Sequence, residues 1–124
     1  MNEDHFSIVD LLSKANSIAL EPTPLYYYVH RKNSITTTAF SRNSLDDIDA
    51  AQKNYEIIKV DYPKALDVAE FRIDFSTLKV IDKIMLADSF DDAELLNNLV
   101  EKVRKNKSRI LRSNSFTIKK KLSF

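Results

Sequence analysis

None of the 124 residues is glycine, where average usage of ~7% would supply about nine. Glycine is the residue that takes left-handed backbone and lets a chain approach a phosphate closely. Its absence removes the P-loop, the Rossmann fingerprint and the glycine nucleophile elbow together. Bends must then come from Asn33, Asn43, Asn54, Asn106 and Asn114 with Pro22, Pro24 and Pro63, each of which restricts or tolerates turn backbone in its own way. Such a chain has less backbone freedom to lose on folding, which suits a fixed part better than an enzyme with a moving lid. Cysteine is absent as well, so disulfides and thiolate metal sites are excluded.

Charge divides the chain in two. Residues 1–101 hold all 18 acids and 10 of the 19 bases, a formal −8. Residues 102–124 hold the other nine bases and no acid, a formal +9. The expected organisation is an acidic body, 1–101, and a basic C-terminal arm, 102–124. An arm of this kind points to an acidic protein surface or to nucleic acid. The opening residues Met1-Asn2-Glu3-Asp4 are acidic where a secretion signal would be basic. No apolar run approaches the length of a membrane span.

Hydrophobic spacing suggests an α+β domain. An amphipathic helix is expected over 4–20, ended by Pro22 and Pro24. Leu25–His30 and Ser34–Phe40 are aromatic and β-branched around a polar turn, which reads as a hairpin. Ser44 and the acids after it open a short capped helix over 45–51. Tyr55–Tyr62 alternates like a strand, and Pro63 starts a short helical turn over 64–69. Phe71-Arg72-Ile73-Asp74-Phe75 and Leu78–Ile84, around Ser76-Thr77, read as a second hairpin. A last helix is expected over 89–112, capped by Asp88 or Ser89 and open to a break at 105–108. Phe116–Leu122 is β-prone. The sum is an antiparallel sheet of about four or five strands, packed by an N-terminal and a C-terminal helix.

Little in the sequence points to catalysis. His5 and His30 lie in different elements, with no metal or nucleophile spacing between them. The clusters Asp46, Asp47, Asp49 and Asp88, Asp91, Asp92 are explained by helix starts and need no cation. No catalytic residue, cofactor or metal is expected. The residues that point outward to a partner are Tyr26 and Tyr28 on the first strand, with Arg31 and Lys32 in its turn, since Tyr and Arg are favoured at interfaces. With them go the bases of the arm: Lys102, Arg104, Lys105, Lys107, Arg109, Arg112, Lys119, Lys120 and Lys121. Backbone phosphates would meet the same bases without sequence preference.

The run of aromatic strand, polar turn and Thr-rich strand continues through Asn43-Ser44-Leu45-Asp46-Asp47-Ile48, Asn54–Pro63 and Phe71–Phe75. In that rhythm, residues 25–84 resemble the small tail, baseplate and neck accessory proteins of tailed bacteriophages. The resemblance implies a non-enzymatic structural protein of a virion, made in the host cytoplasm and packed as a homo- or hetero-oligomer. The alternative is a small phage-type regulator whose basic arm binds nucleic acid or a nucleic-acid enzyme.

Overall fold

After Pro63 the chain contains neither proline nor glycine, the two residues that most disfavour a helix interior. The structure, a computed structural model, describes residues 3–27, 29 and 40–113. Four helices carry the fold: α1 (Glu3–Lys14), α2 (Asp46–Asp61), α3 (Leu66–Met85) and α4 (Ala93–Arg112). Short 3-10 turns at Arg42–Leu45 and Pro63–Ala65 lead into α2 and α3. Among the described residues there is no strand, so the expected α+β sheet is replaced by an all-helical bundle.

The correction has a specific physical cause at each element. Tyr55–Tyr62 alternates like a strand, yet Ile48, Ala51, Tyr55 and Ile58 also fall at helical spacing. The helix opened at Asp46 therefore runs on until Tyr62, whose backbone is forced out of helix before Pro63 (φ −136°, ψ 56°). In the second expected hairpin, Phe71 and Phe75 are four residues apart and their rings meet on one helix face, centroids 5.8 Å apart. Ser76-Thr77 does not turn the chain. Thr77 Oγ1 donates to the Ile73 carbonyl at 2.9 Å, a bond that quiets a hydroxyl inside a helix. Ser76 and Thr77 are both fully buried, small enough to let neighbouring helices close on α3.

The ends differ too. α1 stops at Lys14, and residues 15–27 form no helix, so the expected helix to residue 20 is short by two turns. α4 begins after Asp92 and runs unbroken through 105–108. The first expected hairpin falls on residues without regular structure at 25–27, 29 and 40, and the rest of it lies outside the described residues, as does Phe116–Leu122.

Neighbours in sequence pack as neighbours in space: α1 on α2, α2 on α3 and α3 on α4. One core cluster joins Ile48, Val80, Ile84 and Leu99, sealed by Phe40 and Phe90, which meet edge to face at 5.2 Å. The other joins Leu78, Val103 and Ile110, with Phe71 and Phe75 against it. Val103 and Ile110 belong to the stretch that charge assigns to the arm. The 101/102 charge boundary thus falls within α4, and residues 102–112 are part of the bundle.

Asp92 caps α4: its Oδ1 accepts the Leu95 N–H at 3.0 Å. Asp92→Ala is expected to cost about 1 kcal/mol in urea unfolding, and Asp92→Asn much less, because Asn caps nearly as well.

Candidate functional site

Among the described residues, two buried carboxylates organise the polar contacts between helices. Asp74 of α3 has a side chain only 3% exposed. Arg109 of α4 grips it with two nitrogens: Nε donates to Oδ2 at 3.0 Å, and NH2 reaches Oδ1 and Oδ2 at 2.8 Å. Asn106 Nδ2 adds a donor to Oδ1 at 2.8 Å, and Arg109 NH1 also pairs with Glu70 at 3.2 Å. This forked geometry is the strong form of an ion pair. It fastens α4 to α3.

Asp47 of α2, 6% exposed, is the second. Arg72 NH2 donates to its Oδ1 at 2.8 Å. Lys79 Nζ lies 3.7 Å from Oδ2, too far for a hydrogen bond, so that oxygen has a neutralising charge but no donor. His5 Nδ1 is 3.1 Å from Asp47 Oδ1 and 2.7 Å from Arg72 NH2. Nδ1 thus stands between an acceptor, the Asp47 carboxylate, and a donor, the Arg72 guanidinium. The three side chains tie α1 to α2 and α3.

The remaining ties of α1 are polar as well. Lys53 Nζ donates to the Phe6 carbonyl at 2.7 Å and to Asp10 Oδ2 at 2.6 Å, and Asn54 Nδ2 donates to the His5 carbonyl at 2.7 Å. No residue of α1 is buried. The Lys53 hydrogen bond holds the Asp10 carboxyl below its ordinary 3.8. A lowered carboxyl stabilises the folded form above its ordinary value, and that contribution disappears as the pH falls through the lowered one. Acidification below 3.8 is therefore expected to loosen α1 before the rest of the bundle, seen as loss of helical Cα chemical shifts over residues 3–14. Asp10→Asn is expected to show the same loosening at neutral pH.

Two concave surfaces flank α3. Between α1, α2 and α3 lies a cleft of about 380 Å³ walled by Val9, Ile58, Val68 and Phe71, with His5 and Arg72 at its edge. Between α3 and α4 lies a groove of about 330 Å³ with a floor of Leu78, Ile81, Val100 and Val103, edged by Arg104 and Lys107. Among the described residues no group of three or more His, Cys, Asp or Glu could hold a metal ion. No helix there is long and apolar enough to cross a membrane.

The residues that sequence assigns to a partner are scattered by the fold. Tyr26 is exposed, in a coil where Ile18, Leu20, Leu25, Tyr27 and Val29 are exposed too; Leu20 is 91% and Tyr27 93% exposed. Arg104, Lys105, Lys107 and Arg112 are exposed along α4, and Lys102 is half-buried. Arg109 faces inward to Asp74 and Glu70. Tyr28, Arg31, Lys32, Lys119, Lys120 and Lys121 lie outside the described residues. Sequence reasoning missed Asp47, Arg72 and Asp74. The available signal is an acid inside an apolar helical stripe, Ile73-Asp74 beside Thr77, matched by Arg109 beside Ile110 on α4. That signal is visible only when 66–85 is read as a helix. No protein-family model matches the chain, no curated protein is found to be similar to it, and no solved structure matches it.

Proposed function

We propose that this chain is a non-enzymatic assembly protein that acts through protein–protein contacts. The observation that carries this reading is the coil after α1, where Ile18, Leu20, Leu25, Tyr26, Tyr27 and Val29 all stand in solvent beside a bundle that has its own core. So many large apolar side chains exposed within one short stretch mark a surface that a protein partner would cover. The exposed bases of α4 supply the charge complementarity that orients such contacts and speeds encounter. The resemblance to accessory proteins of tailed phages supplies the setting, a virion, although the strand rhythm behind that resemblance is helical at 46–61 and 66–85.

The test is capture of partners from the source by tagged protein, alongside mass spectrometry of purified particles. A stoichiometric protein partner, lost when Leu25, Tyr26 and Tyr27 are changed to serine, is the expected result. Recovery of a small-molecule turnover activity and no partner would sink it. The second reading, a regulator that binds nucleic acid, is favoured by the row Arg104, Lys105, Lys107 and Arg112 on one exposed helix. Its mark is affinity for single- or double-stranded nucleic acid that falls steeply with salt, in proportion to the phosphates neutralised.

A further inference from the structure

We infer that the groove between α3 and α4 receives α1 of a second copy of this chain, so that copies join head to tail. This rests on the assembly reading above and names the partner of one surface. The groove is edged on α4 by Arg104 and Lys107, and on α3 by Asp82. Among the described residues Arg104 is tied only to Glu101, one turn before it, an exposed pair that exchanges easily, and Lys107 has no partner.

The outer face of α1 is the complement. Asp4, Leu11 and Leu12 fall on one stripe at helical spacing, with Ile8 at its inner edge, where it also lines the cleft against α2 and α3. The three apolar members are exposed, Leu11 at 64%. Apolar anchors at these intervals are how a helix enters a groove. The charges also match end for end. α3 and α4 form an antiparallel pair in which Asp74 stands level with Asn106 and Arg109. Lys107 is therefore at the level of Asp74, and Asp82 lies eight residues, roughly 12 Å, further along the axis. On α1, Asp4 and Lys14 are ten residues apart, roughly 15 Å. An α1 laid with Asp4 at Lys107 brings Lys14 within side-chain reach of Asp82, about 3 Å past it along the axis. In one copy the stripe and the groove lie on different helices, with α2 between α1 and α3 in the packing order. Joined head to tail, the contact is heterologous: it leaves one stripe and one groove open at the ends and builds a ring or a filament, where reciprocal engagement would close a dimer.

Sedimentation velocity of the purified full chain tests this. The weight-average mass is expected to climb with concentration from the monomer's 14.3 kDa through and beyond the dimer, and to fall back as salt screens the rim charges. Leu11→Asp, and separately Arg104→Glu with Lys107→Glu, are each expected to stay monomeric with unchanged circular dichroism. Mixed one to one, the two variants are expected to stop at a dimer, because one keeps an intact groove and the other an intact α1. A wild-type chain that is monomeric at every concentration overturns the inference, as does a mixture of the variants that fails to pair. If the monomer still captures a partner from the source in the experiment above, only this contact falls; if it captures none, the assembly reading falls with it.

Discussion

Asp74→Ala is expected to lower the unfolding free energy by about 3–5 kcal/mol, because deleting one member of a buried pair strands the other. Arg109 would lose its three bonds to Asp74 and keep, among the described residues, only Glu70. Its side chain is 36% exposed, so water can reach the stranded guanidinium and the loss belongs at the lower end of that range. Arg109→Met leaves Asp74 with Asn106 alone, and Asp74 is far more deeply enclosed, so this variant is expected to be the worse of the two singles. The combination Asp74→Leu with Arg109→Met tests the cause. A buried ion pair replaced as a unit by apolar groups is often neutral or stabilising. The double variant is therefore expected to recover most of what either single loses, read from urea midpoints at constant slope. Singles that lose less than about 1 kcal/mol would show that the α3–α4 seam is held by Leu78, Val103 and Ile110 without help from the charges.

How much of this was legible in the sequence follows from the same residues. The last helix and its acidic start were readable, since Leu99, Val103 and Ile110 keep helical spacing and Glu94 sits in the first turn. The sheet was misread because alternation over a few residues fits two periods at once. Phe71, Ile73 and Phe75 are neighbours every second residue on a strand, while Phe71 and Phe75 are also one turn apart on a helix. What separates the readings is length without a breaker, and the missing glycine was the clue. A glycine within a helix costs about 1 kcal/mol relative to alanine. A chain free of glycine, with its last proline at Pro63, carries no such penalty across α3 and α4. Asp74 and Arg109 were unreadable for a different reason. Their pairing joins residues 35 apart, and no spacing rule connects them until both helices have been placed.

The largest effect is expected one residue beyond Arg109 on α4. Ile110 is completely buried, and Ile110→Ala should cost about 2–5 kcal/mol, the range for emptying a core site. A chain ended after Glu101 goes further. It removes Val103 and Ile110 from their cluster and takes Arg109 and Asn106 away from Asp74. The Ile110 and Asp74 contributions alone, about 2–5 and about 3–5 kcal/mol, reach into the 5–15 kcal/mol that typically separates folded from unfolded domains. The truncated chain is therefore expected to lose its cooperative thermal transition and much of its helical circular dichroism. A dispensable basic arm predicts the opposite, an unchanged transition, so calorimetry of the two chains decides between them. The outcome also governs how the surface of α4 has to be probed. Charge removal at Arg104, Lys105 or Lys107 leaves Val103 and Ile110 in place and reports on partners. Deletion of the segment reports on folding, because the same twenty-residue helix that displays those bases also closes the core.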